Sequence, residues 1–325
     1  MATYYITSTA NTGTGTLRAL VSRGSWNTVQ PDPTLFPTGT SCNVSLTANF
    51  AITSNVAIRG GQTRLVITSS SYLEHGTSSS RITNVSYEDV DFRGFTSTED
   101  GAIRVAYCST VSFSRCSFCG ISGYTAPLRA SYESTPPTVI FKDCAFYGNR
   151  ATRNSGGMGA ISFQDNSVAA KSSLINCTFG ANYRNQSASP KIDYAYSDYL
   201  KEETNIVKSM ESSWRVPPPV GYGYSSWTST AYMKMDPRPS STATWRTGAT
   251  STDSTIDLDG NPRKSNGALG AYEYYDLLPT PANLTTTNIS SNSARLNWGA
   301  VENASGYKVE YRPVGNTTWT TDPNP

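Results

Sequence analysis

The stretch "KDCAFYGN", Lys142–Asn149, decides the reading of this chain because the chain repeats it. "EDVDFRGF" begins at Glu88, "SRCSFCGI" at Ser114 and "INCTFGAN" at Ile175. Aligned on their aromatic residue, the four copies place Phe92, Phe118, Phe146 and Phe179 at separations of 26, 28 and 33 residues. Two positions earlier stand Val90, Cys116, Cys144 and Cys177; two positions later stand Gly94, Gly120, Gly148 and Ala181. A spacing of two puts the apolar pair on one face of a short strand. The small residue after it suits a tight turn. "NVAIRGG" offers Val56, Ile58 and Gly60 as an earlier copy of the same slots.

Two further segments accompany the later copies. "GAIRV", "APLRA" and "GAISF" carry Ile103, Leu128 and Ile161, which lie 15, 18 and 18 residues before the matching phenylalanine. "TVSFS", "TVIFK" and "SSLIN" place Phe113, Phe141 and Leu174 three residues before the cysteine. Each unit is then two or three short strands joined by turns. A unit this small cannot bury its apolar face alone, whereas stacked copies can. Strands of fixed length separated by loops of variable length account for the irregular interval. The expected fold is all-β, a right-handed parallel β-helix in which Phe92, Phe118, Phe146 and Phe179 form one internal stack. The valine and cysteines stack beside it as small buried hydrophobes; free thiols are expected, the alternative being a disulfide between neighbouring turns, Cys116–Cys144 or Cys144–Cys177. The column Asp89, Arg115, Asp143, Asn176 reads as an exposed charge ladder of little energetic weight.

These phrases resemble polymorphic outer-membrane-protein repeats, which combine a "GGA-I" strand with an "F-x-x-N" strand end; here they read "GGMGAISF" (Gly156–Phe163), "FYGN" (Phe146–Asn149) and "TFGAN" (Thr178–Asn182). "YYITSTANTGTGTLRALVSRG" resembles the opening segment of bacterial right-handed β-helix surface proteins, with Arg18 to Val21 as a short capping helix. "DLDGNPRKSNGALGAYEY", Asp257–Tyr274, resembles their closing segment, with Ala268 where an aspartate is usual. "PANLTTTNISSNSARLNWGAVENASGYKVEYRP", from Pro281, resembles the first half of a fibronectin type III domain, with Leu284, Leu296, Trp298, Tyr307, Val309 and Tyr311 at core positions. A complete sandwich needs about 100 residues, so the module is expected to continue past Pro325. The domain plan is residues 1–276 for the β-helix, 277–280 for a linker and 281–325 for the partial fibronectin segment.

Composition narrows the function. Of 325 residues only 15% are charged, and 26 basic side chains nearly balance 24 acidic ones. This gives no long-range pull on nucleic acid. No run of 18 apolar residues exists, so no membrane insertion is expected. The opening "MATYYITST" lacks the basic and apolar regions of a signal peptide; an exported protein would have lost its signal. The resemblances imply a bacterial extracellular or cell-surface setting.

The residues 185–250 break the repeat. A short helix is expected near Leu200–Met210, followed by a loop rich in proline, glycine and aromatics. Trp214, Tyr222, Tyr224 and Trp227 are its candidate carbohydrate-binding residues, because flat rings stack on sugar faces and an indole N–H or hydroxyl bonds at the rim. The alternative role for these rings is to cover the last coil against edge pairing.

No catalytic residue and no cofactor is assigned. A hydrolase needs paired carboxylates, and no such cluster shows in the sequence. His75, the sole histidine, reads as an exposed loop residue. Cys116 and Cys119 form a C-x-x-C without a second ligand pair, and no metal is assigned to them. "DLDGN" lacks the twelfth-position glutamate of an EF-hand, since Ala268 stands there. The expected function is adhesion or glycan binding, toward an extracellular polysaccharide or the surface of a host or neighbouring cell. The alternative is a polysaccharide lyase or glycoside hydrolase whose site lies under the 185–250 segment.

Overall fold

The computed structural model describes residues 2–132, 134–153, 157–185, 202–204, 206–208, 210–218, 227–228, 231–249, 255–275, 281–301, 306–314, 318 and 320–322. The chain divides into two compact units, Met1–Tyr274 and Tyr275–Pro325. The expected linker 277–280 lies outside the described residues.

The first unit is all-β, built from long parallel sheets with two one-turn α-helices and three 3-10 turns among the described residues, and is compatible with a β-helix. The chain visits three sheets in rotation. From Ile82–Glu88 in the first sheet it turns into Val90–Arg93 in the third. It then crosses to Gly101–Val105 in the second and returns to the first at Cys108–Ser114. Each strand pairs in parallel with its counterpart from the turn before. Phe92 pairs with Phe118, Phe118 with Phe146 and Phe146 with Phe179.

This register stacks the rings. Phe92 and Phe118 are 5.0 Å apart and 9° from parallel; Phe118 and Phe146 are 4.5 Å apart at 2°; Phe146 and Phe179 are 4.6 Å apart at 3°. A second column, Tyr87, Phe113 and Phe141, stacks at 5.0 and 5.1 Å. The two columns meet edge to face, Phe113 on Phe118 at 5.2 Å and Phe141 on Phe146 at 5.3 Å. Such pairs add about 0.5–1.5 kcal/mol each beyond the area they bury. All six cysteines are free and buried. Cys116, Cys144 and Cys177 are buried next to one another in successive turns, and burial pushes the Cys119 thiol up to about 12.

The corners repeat as well. Asp89, Arg115, Asp143 and Asn176 all have φ between 50° and 58°, and Gly94, Gly120 and Gly148 between 62° and 65°. The first column differs from the exposed ladder expected. Arg115 donates to both oxygens of Asp89, at 2.8 Å each, and Nδ2 of the buried Asn176 donates to Oδ1 of the buried Asp143 at 3.0 Å. A later segment covers these last two corners.

Three other expectations are corrected. "NVAIRGG" belongs to the first sheet, where Ile58 pairs with Tyr87; the third-sheet neighbour of Phe92 is Ile67. An apolar–x–apolar–x–glycine phrase ends strands in both sheets, so the phrase alone does not separate them. Glu202–Thr204 and Val207–Lys208 are strands rather than part of a helix, because they pair with Ser173–Ile175 and Thr178–Gly180 and extend the stack by one turn. Here sheet pairing overrides helix propensity. His75 is buried, since Leu73–His75 is a strand of the second sheet and the ring points inward.

His75 Nδ1 lies 2.7 Å from the Arg104 carbonyl, so it carries the proton, and Nε2 accepts from the Tyr87 hydroxyl at 2.8 Å. In the second unit, Thr285–Thr287 pairs antiparallel with Arg295–Asn297, and Glu310–Tyr311 with Thr320–Thr321. The expected core residues there do not close a core: Leu284 and Tyr311 are more than half exposed, and none of the described residues of this unit is buried.

Phe118→Ala empties the centre of the first column and removes the edge-to-face partner of Phe113 and Phe141. It should cost about 3–5 kcal/mol in denaturant unfolding. Burial lowers the His75 pKa from 6.5 to about 4, so the fold favours the neutral ring. That stabilisation is complete above 6.5 and is lost as pH falls toward about 4, a change of about 3 kcal/mol. Unfolding midpoints measured across this window should fall with acid, and the slope should be shallower in His75→Gln.

Candidate functional site

Alternation along the third sheet sends Phe92, Phe118 and Phe146 inward and Asp91, Arg93, Ser117, Cys119 and Tyr147 outward. That outer face is covered by described residues of 214–218, 231–249 and 255–272. Trp214–Val216 pairs antiparallel with Asp236–Pro239. Trp214, Met235 and Trp245 pack with Ala181, Tyr183 and Val207, while Leu258, Ala271 and Tyr272 pack on Ala145. Polar contacts fasten this cover. Arg263 Nη2 donates to Asp143 Oδ1 at 2.7 Å with both side chains buried, Ala271 N donates to Thr178 Oγ1 at 2.9 Å, and Arg64 Nη1 to the Leu258 carbonyl at 3.0 Å.

Between sheet and cover lies a cleft of about 520 Å³, within the usual range for small-molecule sites. The sheet contributes Arg64, Asp91, Arg93, Ser117 and Tyr147; the cover contributes Val216, Met233 to Arg238, Leu258, Asp259 and Tyr272. The sequence predicts no cluster of carboxylates, yet the fold brings Asp91, Asp236 and Asp259 to one site. They come from three segments whose separation along the chain carries no signal. Only the third-sheet register and the path of the cover bring them together.

Every oxygen of these carboxylates is occupied. Asp91 Oδ1 accepts from Arg64 Nη2 and from Ser117 Oγ at 2.6 Å, and its Oδ2 from Arg93 Nη2 at 2.8 Å. Asp259 takes Arg238 Nε and Nη2 at 2.6 and 3.2 Å. Asp236 takes the Arg238 backbone N and Nη1, both at 3.1 Å. Burial works to raise the Asp91 pKa, but the Arg64 guanidinium and its hydrogen bond prevail and hold it below the usual carboxylate value. Asp91 is thus an anion, not a proton donor. Burial pushes the Tyr147 and Tyr272 hydroxyls well up, so both stay protonated.

The aromatic candidates have separate fates. Trp214 is 2% exposed and packs edge-on against Tyr147 at 6.3 Å, so its face is not offered to a sugar. Trp227 is half-buried, donates Nε1 to the Gly148 carbonyl at 2.8 Å and carries the Arg150 guanidinium 4.2 Å over its ring. Tyr222 and Tyr224 lie outside the described residues. Asp257, at the start of "DLDGN", accepts from the backbone N of Asn261 at 2.7 Å and of Glu273 at 2.8 Å, a turn-closing role.

The outer face of the first sheet is of another kind. Thr3, Thr28, Ala57, Ser86, Ser112, Ile140 and Ser173 form one column across it, with Asn84, Thr110 and Thr138 in the next.

Fold and sites together define an all-β protein of stacked parallel sheets with a covered, charged cleft on one sheet and a hydroxyl-rich face on another. Comparison with protein-family models, with curated proteins and with solved structures finds no match.

Arg263→Met takes the ion-pair partner from the buried Asp143 carboxyl. It should destabilise the first unit by about 3–5 kcal/mol, and Arg263→Met with Asp143→Asn should recover part of that loss, because asparagine removes the unpaired charge, tolerates the left-handed corner and keeps an acceptor for Asn176. Thermal unfolding of both variants checks this.

Proposed function

We propose that residues 1–276 form a right-handed parallel β-helix of the surface-protein type, joined to the opening strands of a fibronectin type III module. In this reading the protein acts outside a bacterial cell in adhesion or glycan binding. The observation that carries it is the outer face of the first sheet. Its hydroxyl and amide side chains recur at the strand repeat of about 4.8 Å, on a backbone held rigid by the aromatic columns beneath. Hydroxyls that both donate and accept suit the hydroxyls of a repeating glycan. An array of weak contacts gains strength when many are made together.

The second reading, a polysaccharide lyase or glycoside hydrolase, draws on the carboxylates of the cleft. Hydrolysis by a carboxylate pair needs one protonated acid and one free base. Asp91 is held ionised, and arginine, serine or backbone donors occupy the oxygens of all three aspartates. That occupancy favours binding over turnover.

A glycan array, run beside reducing-sugar and unsaturated-product assays on acidic polysaccharides, tests the choice. Binding without turnover is the expected result. Release of reducing ends or of unsaturated sugar would replace the binding reading with the enzymatic one.

A further inference from the structure

The cleft is not electrically balanced. Arg64, Arg93, Lys234 and Arg238 face three aspartates. Arg64 is spent on Asp91 and the Leu258 carbonyl, and Arg238 on Asp236 and Asp259. Arg93 is different: its side chain is 40% exposed, and Asp91 engages only its Nη2. Lys234 stands on the one-turn 3-10 helix Ala231–Lys234, is exposed, and has no ion-pair partner among the described residues. Two cations on opposite walls of the cleft therefore retain donors that the protein does not use.

We propose that this cleft binds the anionic group of an acidic sugar, a carboxylate or a sulfate ester, between Arg93 and Lys234. The sugar rests on the glycan-binding reading; the anion rests on the charge of the cleft alone. Arg93 is held in place by Asp91, which Arg64 and Ser117 hold in turn, so one donor is preorganised before the ligand arrives. Lys234 supplies a mobile point charge from the cover. Val216, Met233 and Met235 give the apolar wall against which a pyranose ring lies. The site differs in kind from the hydroxyl-rich first sheet: it recognises one charge rather than a repeat.

Calorimetric titration of the full chain with tetragalacturonate, a sulfated disaccharide and the neutral cellotetraose tests this. Both anionic probes, or one of them, should bind and cellotetraose should not displace them; the probe that binds tells carboxylate from sulfate. Arg93→Gln and Lys234→Gln should each weaken binding about tenfold, the loss of one charge-assisted contact at a partly exposed site. Lys234→Gln removes no contact within the fold, so its effect reports on binding and not on folding. Unchanged affinity in Lys234→Gln and in a folded Arg93→Gln overturns the proposal. Binding of neutral glycans without any binding of anionic probes overturns it too, while leaving the glycan-binding reading standing. Failure of every glycan sinks both.

Discussion

Parallel register is the constraint on which the rest of the structure depends. Once Phe118 pairs with both Phe92 and Phe146, three rings must occupy one column at one strand spacing, and they do so at 5.0 and 4.5 Å. A column of this kind fixes the width of each turn. The corners must then recur at the same place, and they do, in the left-handed region that costs an L-residue about 1–2 kcal/mol. Where glycine fills the corner that cost disappears. Where it does not, the side chains repay it sideways: Arg115 grips Asp89 and Asn176 bonds Asp143, each across one turn. At the other corner Gly148 and Ala181 take the positive φ, and the residues after them bond across one turn, Nδ2 of Asn149 donating to Oδ1 of Asn182 at 2.8 Å. Core packing and corner chemistry are thus two consequences of one register.

The parts of the fold legible in the sequence are those in which register writes the same residue type at the same slot. The phenylalanines, the cysteines and the small corner residues after them could be aligned by eye. Phe113, Phe141 and Leu174 are equally regular, whereas Tyr87, which heads their column, stands before no cysteine that would mark its slot. Legibility failed where the slot was filled by something else. Ile67 stands in the phenylalanine column, and the better-looking phrase at Val56 belongs to another sheet. His75 occupies an inward position that a leucine or phenylalanine would announce. Its polarity suggests the surface, and only the Tyr87 hydroxyl and the Arg104 carbonyl make it acceptable inside.

The cleft could not be read at all, for a different reason. Asp91 and Arg93 sit on a strand whose outward positions in an ordinary solvent-facing sheet would be unremarkable. Asp236, Arg238 and Asp259 sit in a segment without repeats. Their meeting is set by where the cover lies down, and that is decided by apolar contacts of Trp214, Met235, Leu258 and Tyr272. No local pattern encodes a contact between segments this distant. The tryptophans drew notice as ligands in the sequence; Trp214 serves in the structure as an anchor of the cover.

The cover answers two demands at once. A stack of parallel turns exposes the strand edges of its last turn, which invite pairing with other chains, and chain adjoining that last turn can shield them. Burying apolar surface alone would meet this demand, and a purely apolar cover would leave no cleft. Instead the contact zone includes Arg64, Asp91, Arg93, Asp236, Arg238 and Asp259. Ion pairs removed from water contribute little net stability, because desolvation offsets their attraction. Stability alone therefore does not account for this choice of residues. Their physical consequence is a polar floor that keeps sheet and cover apart, with its carboxylates saturated and its arginines fixed in direction. A cleft built this way is ordered before anything enters it, and its remaining charge is set by the cations left over.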